Sequence, residues 1–262
     1  MKQRAFTLIE LLVVIAVIAV LMGILMPALR KARDQAKRSH CGGSIRQLAF
    51  AGVMYSEDNR GIFPPGQALY GGWGIYPVWI RNNSENQGFL AAGVLYEQGL
   101  VKEPKLYYCP GNMNPDLKFG KYTSPNNGGG WPKGGRIPED VPATQNWVWS
   151  TFHYRSLWTG SEWRALSSHK DNGGTALLAD VFSDPARGVA LHHKSGYNVG
   201  YLDGHVNYVK DPERVIEGLN GGNTYHGGSG YDIQDYVWKE YFDEGAKRYP
   251  LQDGVLSRIT ID

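Results

Sequence analysis

Between residues 6 and 29 the chain carries one charged side chain, Glu10, and residues 11–29 carry none. As a helix rising about 1.5 Å per residue, residues 11–29 span about 28 Å, against a bilayer hydrocarbon core of about 30 Å. The run is therefore expected to cross a membrane. A cleaved secretory signal has an apolar stretch of about 7–15 residues that ends at a small-residue site. This run is longer and contains an acid. The rest of the chain is rich in Gly, Asn, Tyr and Trp, which points to a membrane helix followed by a separate domain of about 200 residues.

Glu10 is the informative residue. An ionised carboxylate in a membrane helix costs about 2.5–3.5 kcal/mol at mid-helix and less near the ends, so it needs a partner. A cut between Ala5 and Phe6 creates an amino group four residues before Glu10, on the same helix face. The carboxylate also complements the helix dipole. In a packed assembly it could instead neutralise the amino terminus of a neighbouring subunit, and charge pairing would then set the axial register.

The segment Lys2-Gln3-Arg4-Ala5, followed by Phe6-Thr7-Leu8-Ile9-Glu10-Leu11-Leu12-Val13-Val14-Ile15, resembles the class III signal of type IV pilins and type II secretion pseudopilins. The resemblance implies that a prepilin peptidase cuts before Phe6 and N-methylates it, and that Glu10 guides assembly. The family usually has Gly where this chain has Ala5. The implied partners are the peptidase, other pilin or pseudopilin subunits and an inner-membrane assembly platform. The implied location is the inner membrane, crossed once, with the N-terminus inside and the domain periplasmic or otherwise extracytoplasmic. On this reading residues 1–5 are a leader, 6–29 the transmembrane helix, 30–61 an amphipathic continuation and 62–262 the globular domain.

Pro27 removes one helical hydrogen bond and favours a kink late in the span. Beyond it, Leu29, Ala32, Ala36, Ile45, Leu48, Ala49 and Val53 recur at near-helical spacing, so an amphipathic half is expected to run toward Asp58. Gly42-Gly43 is a candidate interruption, and Gly61 with Pro64-Pro65 a stop signal. Arg30, Lys31, Arg33, Lys37 and Arg38 follow the span while only Lys2 and Arg4 precede it. Charge counting alone would place the following domain in the cytoplasm. The resemblance carries the opposite orientation.

The domain reads as α+β, with short strands in a mainly antiparallel sheet and two or three helices between Gly- and Pro-rich loops. Residues 88–99 look helical, with Gly99 as the C-cap, and residues 106–109 look like a strand. Residues 110–144 read as a long loop, and residues 231–245 as a packed helix through Ile233, Val237, Tyr241 and Phe242. Net charge is +2, so the footprint of a nucleic-acid binder is missing. The two cysteines, Cys41 and Cys109, have no CxxC or regular Cys/His spacing, which gives a structural zinc site no support. An oxidising compartment allows a bridge between them and a reducing one leaves two buried thiols; the sequence leaves both open.

Residues 197–202 and 205–209 alternate around Asp203-Gly204, which reads as a β-hairpin closed by a type I′ turn, with residues 175–180 as a neighbouring strand. His193 stands ten positions before Asp203. This H-x9-DG pattern, with Cys41, Arg46-Gln47-Leu48 and Cys109-Pro110, resembles a family of pilin-like proteins. The simpler reading gives Asp203 and Gly204 a turn role and has His193 hydrogen-bond across to the hairpin. The sharper one gathers His193, Asp203, His205 and Asp180 or Asp184 into a metal or catalytic cluster. The first is preferred, because no nucleophile motif such as GxSxG accompanies the pattern. No cofactor is expected. Calcium, which the resemblance suggests through pseudopilin loops, would draw on Asp171, Asp180, Asp184 or Asp232, without EF-hand spacing. Trp147, Trp149, Tyr154 and Trp158 invite a sugar-stacking reading. The expected function is a non-enzymatic structural subunit of a type IV pilus or type II secretion pseudopilus. The alternative is an anchored module that binds polysaccharide or protein.

Overall fold

A computed structural model of the chain describes residues 7–66, 77–81, 87–112, 114, 117–119, 147–155, 157–158, 163–182, 193, 196–211, 214–216 and 237–245. The expected leader, Phe6, most of the expected loop over residues 110–144, Asp184, Asp232 and Ile233 lie outside these residues.

Helix α1, Leu8–Asp58, is continuous through Pro27 and through Gly42-Gly43. Gly42 does not interrupt it because it faces the domain. A Cβ there would already lie 3.2 Å from Asn198 Oδ1, so a small residue lets helix and sheet close on each other. Residues 8–36 are exposed on every side. The buried stripe begins at Cys41 and continues through Ser44, Ile45, Leu48, Ala49, Gly52 and Ser56. The amphipathic face therefore starts later than the spacing predicts, and Leu29, Ala32 and Ala36 are free of the domain. The helix stops in a left-handed exit: Arg60 and Gly61 have φ of 57° and 74°, and the Gly61 amide returns to Ser56 O at 2.8 Å, satisfying a terminal carbonyl.

The central sheet is antiparallel, in the order β4-β7-β8-β9, formed by Phe152–Tyr154, Ala176–Asp180, Gly196–Tyr201 and Val206–Lys210. Strand β8 shows why it is buried on both faces. Tyr197, Val199 and Tyr201 point to one side, where they join Trp238, Tyr241 and Phe242 of a π-helical turn, Trp238–Phe242. Phe182 sits at the centre of that layer, edge-on to Trp238 and Phe242 at 5.1 and 5.0 Å. Asn198 and Gly200 point to the other side, against α1. The period-2 alternation of a strand thus sorts one sequence into two contact surfaces.

A second sheet, in the order β2-β1-β3, is built from Gln87–Phe89, Pro77–Arg81 and Trp147–Trp149, and a small hairpin pairs β5, Leu157–Trp158, with β6, Trp163–Arg164. Two local expectations change here. Residues 88–99 split into β2 and a short helix α2, Gly93–Glu97. The Leu90 amide bonds Val78 O at 3.1 Å and Ala91 takes a φ of 50°, which breaks a helix before it can start. Gly99 follows the C-cap in the left-handed region, at φ 72°. Residues 104–107 form a 3-10 turn rather than a strand, because Pro104 fixes φ at its start and the Glu103 carboxylate accepts from the Lys105 amide at 3.0 Å.

Candidate functional site

Two regions carry the residues singled out by the sequence. The first is the head of α1. Thr7 is its N-cap, and the cap is reciprocal: the Glu10 amide donates to Thr7 Oγ1 at 3.3 Å, while the Thr7 amide and hydroxyl both donate to Glu10 Oε2 at 2.8 Å. This arrangement satisfies orphan amides of the first turn. It also pins the carboxylate at the helix start, beside the segment that holds Ala5 and Phe6. Behind it the side chains from Leu8 to Leu29 are exposed, and the helix is long and apolar enough to cross a membrane.

The second region lies where α1 meets the domain. Cys41 on α1 and Cys109, just past the 3-10 turn, are joined in a disulfide with Cα atoms 5.0 Å apart. The Cys109 amide donates to Thr151 Oγ1 at 2.6 Å and the Gly111 amide to Cys109 Sγ at 3.3 Å. His193 Nε2 is 3.6 Å from Cys109 Sγ and 3.6 Å from Asp180 Oδ2. Asp180 is fully buried on β7, and its Oδ2 accepts from the Asn198 amide at 2.7 Å and from Asn198 Nδ2 at 2.9 Å. Burial pushes the Asp180 carboxyl up to about 7, against the pull of the Asn198 donors. Burial, helped by the positive charge of Arg38, pushes the His193 imidazole down to about 4.

The Asp203-Gly204 turn lies at the far end of β8. His193 and Asp203 are separated by that six-residue strand, about 20 Å of extended chain. The pattern's two halves therefore stand at opposite ends of β8: the His193 carbonyl accepts from the Gly196 amide at the start of the hairpin at 3.2 Å, while Asp203 and His205 lie at its turn. The turn itself is also of another type. The Gly204 amide bonds Tyr201 O at 2.9 Å and the Tyr201 amide bonds His205 O at 3.0 Å. Gly204 has a φ of 86° while Asp203 is not among the positive-φ residues. This is a type I turn closed by a left-handed glycine bulge, since a type I′ turn needs positive φ at both central residues. His205 stacks on Tyr201 at 4.1 Å between centroids, pairs with Asp203, and lies 3.1 Å from Glu244.

The remaining candidates separate in the same way. Asp171 accepts from the Ser167 amide at 2.8 Å and sits apart from Asp180 in a surface turn. Of the aromatic residues, Trp79, Tyr107, Tyr154, Tyr197, Tyr201 and Trp238 are buried, which removes them from any sugar-stacking face. Sequence reading reached only part of the Cys–His–Asp grouping, setting His193 with Asp180 in one candidate cluster and leaving a Cys41–Cys109 bridge open; it did not join the two, whose members come from four separate segments with sequence separations of 68 between the cysteines and 84 between Cys109 and His193.

Residues 1–26 match a family described as "Prokaryotic N-terminal methylation motif". The chain is also similar to the type II secretion system core protein G of Pseudomonas aeruginosa, with 38% identity over 58 residues, which is 22% of this chain and 41% of the relative. It thus spans less than half the length of the curated relative it matches. No solved structure matches the chain. The methylation motif and the secretion-system relative, each matching only part of the chain, support a pilin- or pseudopilin-like protein, as does a long exposed apolar helix leading into an antiparallel α+β domain.

Proposed function

We propose that the chain is a non-enzymatic filament subunit, cut before Phe6 by a prepilin peptidase, methylated there, and assembled through α1 into a pilus or secretion pseudopilus. The observation that carries this reading is the helix itself. Residues 8–36 are exposed, although their first two-thirds are almost wholly apolar. Such a surface is stable only in lipid or against other helices of the same kind.

Glu10 supplies the selectivity. Once Phe6 is the first residue, its amino group lies one helical turn before the carboxylate that Thr7 now holds, and intersubunit pairing can replace the intrachain cap at little cost. The domain is extracytoplasmic in this reading despite the basic residues after the span. Arg38 among them lies over the Tyr208 ring at 4.2 Å and its carbonyl accepts from Asn198 Nδ2 at 3.4 Å, so it is held by the domain rather than left free to fix topology.

The test is the mature N-terminus. Mass spectrometry of the protein purified from membranes of a peptidase-positive host should give N-methylated Phe6 as the first residue, and any other start overturns the reading. An alkaline phosphatase fused after Asp262 should be active, and an inactive, stably expressed fusion overturns the orientation.

A further inference from the structure

We propose that, when the Cys41–Cys109 bridge is reduced, Cys41, Cys109 and His193 bind a borderline-soft divalent cation of the zinc class, with Asp180 beside the fourth position. Disulfide and metal are then alternative occupants of one place.

The geometry supports this at the level of ligand spacing. Tetrahedral zinc, with Zn–S about 2.3 Å and Zn–N about 2.0 Å, holds sulfur and nitrogen about 3.5 Å apart. Cys109 Sγ and His193 Nε2 are 3.6 Å apart, and the three donor atoms all lie within 4.8 Å of one another at buried residues. Opening the S–S bond moves the sulfurs apart, to about 3.8 Å in such a tetrahedron. Asp180 provides an independent sign. Its Oδ1 is buried and, among the described residues, has no hydrogen-bond partner, while its Oδ2 lies as close to His193 Nε2 as the sulfur does. A buried carboxylate with one unanswered oxygen, next to an imidazole and a sulfur pair, is what a cation would complete.

The chemistry balances. A dithiol or phosphine reductant supplies two electrons, the S–S bond breaks and two protons give two thiols. The cation displaces those two protons and is held by two thiolates and a neutral imidazole, a complex with no net charge from these four groups, which suits a dry site. A thiol–disulfide oxidoreductase that removes two electrons from the thiolates re-forms the bridge and releases the ion.

The test uses the full chain in detergent, reduced with a phosphine under argon and titrated with Co²⁺. One equivalent should give a thiolate-to-cobalt charge-transfer band and the visible bands of tetrahedral cobalt. Zn²⁺ should abolish both, and the oxidised chain should show neither. His193→Ala should lose the tetrahedral bands, and Asp180→Asn should weaken binding about 10-fold. Near-ultraviolet circular dichroism is read in parallel. If reduction loosens the fold, recovery with Zn²⁺ supports the site and failure to recover overturns it. A folded reduced chain without the bands, or bands unchanged in His193→Ala, overturns it equally.

Discussion

Gly200 on β8 lies directly under Ile45 of α1: a Cβ at Gly200 would fall 2.6 Å from Ile45 Cγ2. The missing side chain lets the helix rest on the sheet, and α1 can then bury Ile45, Leu48 and Ala49 completely. Gly200→Ala should destabilise the domain by about 1–3 kcal/mol through overpacking. The double variant with Ile45→Ala, which removes the Cγ2 atom that the new Cβ would meet, should cost less than the sum of the two single variants. Chemical denaturation of these variants gives the coupling energy, and strict additivity would show that the clash is absorbed elsewhere.

Gly204 presents a different kind of constraint. Its φ of 86° lies where an L side chain is strained, and a Cβ would also meet Phe50 Cε1 at 2.7 Å. Gly204→Ala should therefore cost about 1–3 kcal/mol. Asp203→Ala should cost less, about 1 kcal/mol, because Asp203 contributes a hydrogen bond to the His205 amide at 3.0 Å but no unusual backbone geometry. Equal losses in the two melting curves would contradict a turn dominated by the glycine.

These cases mark how far the sequence was legible. The membrane-length helix, the β8–β9 pairing and the strand at 176–180 follow from local periodicity, because each is written in consecutive residues. The turn type was not legible: Asp-Gly fits more than one hairpin loop, and which loop forms depends on how β8 and β9 are registered. Residues 88–92 were misread as helix because their fate is decided by pairing with Val78 across the sheet. The meeting of the cysteine pair with His193 and Asp180 was invisible for the same reason, as it exists only after α1, β7 and the segment around Cys109 have packed. Long-range pairing is where single-sequence reading ends.

Arg155 is buried, yet its guanidinium is answered from outside its own sheet. Its Nη1 donates to Asp243 Oδ1 at 2.6 Å, and the same oxygen accepts from the Ala176 amide at 2.8 Å. Asp243 follows the π-helical turn, so the pair fastens the C-terminal aromatic layer to β4 and β7. Asp243→Ala should destabilise the domain by about 3 kcal/mol, because it removes the one carboxylate that Arg155 Nη1 and the Ala176 amide share. Replacing both residues, as Arg155→Met with Asp243→Ala, should cost less than the sum of the singles. An additive double variant in urea denaturation would show that the two side chains do not act as a pair.

Asp180 and His193 should give the oxidised domain opposing pH dependences. The Asp180 carboxyl is raised from 3.8 to about 7 by burial. Between those values the folded chain holds a proton that the unfolded chain has lost, so this group makes stability fall as pH rises. His193 is lowered from 6.5 to about 4 by burial. Between those values the unfolded chain holds the proton, so this group makes stability rise with pH. From about pH 4 to 6.5 the two slopes oppose each other and the wild-type curve should be nearly flat. Asp180→Asn leaves the imidazole alone, and its stability should climb across that window. His193→Asn leaves the carboxyl alone, and its stability should decline across the same window and on to about pH 7. Denaturation free energies of the disulfide-bonded proteins, measured at pH 4.5, 5.5 and 6.5, decide the matter. Slopes of the same sign in the two variants would mean that the buried groups do not titrate as their surroundings require.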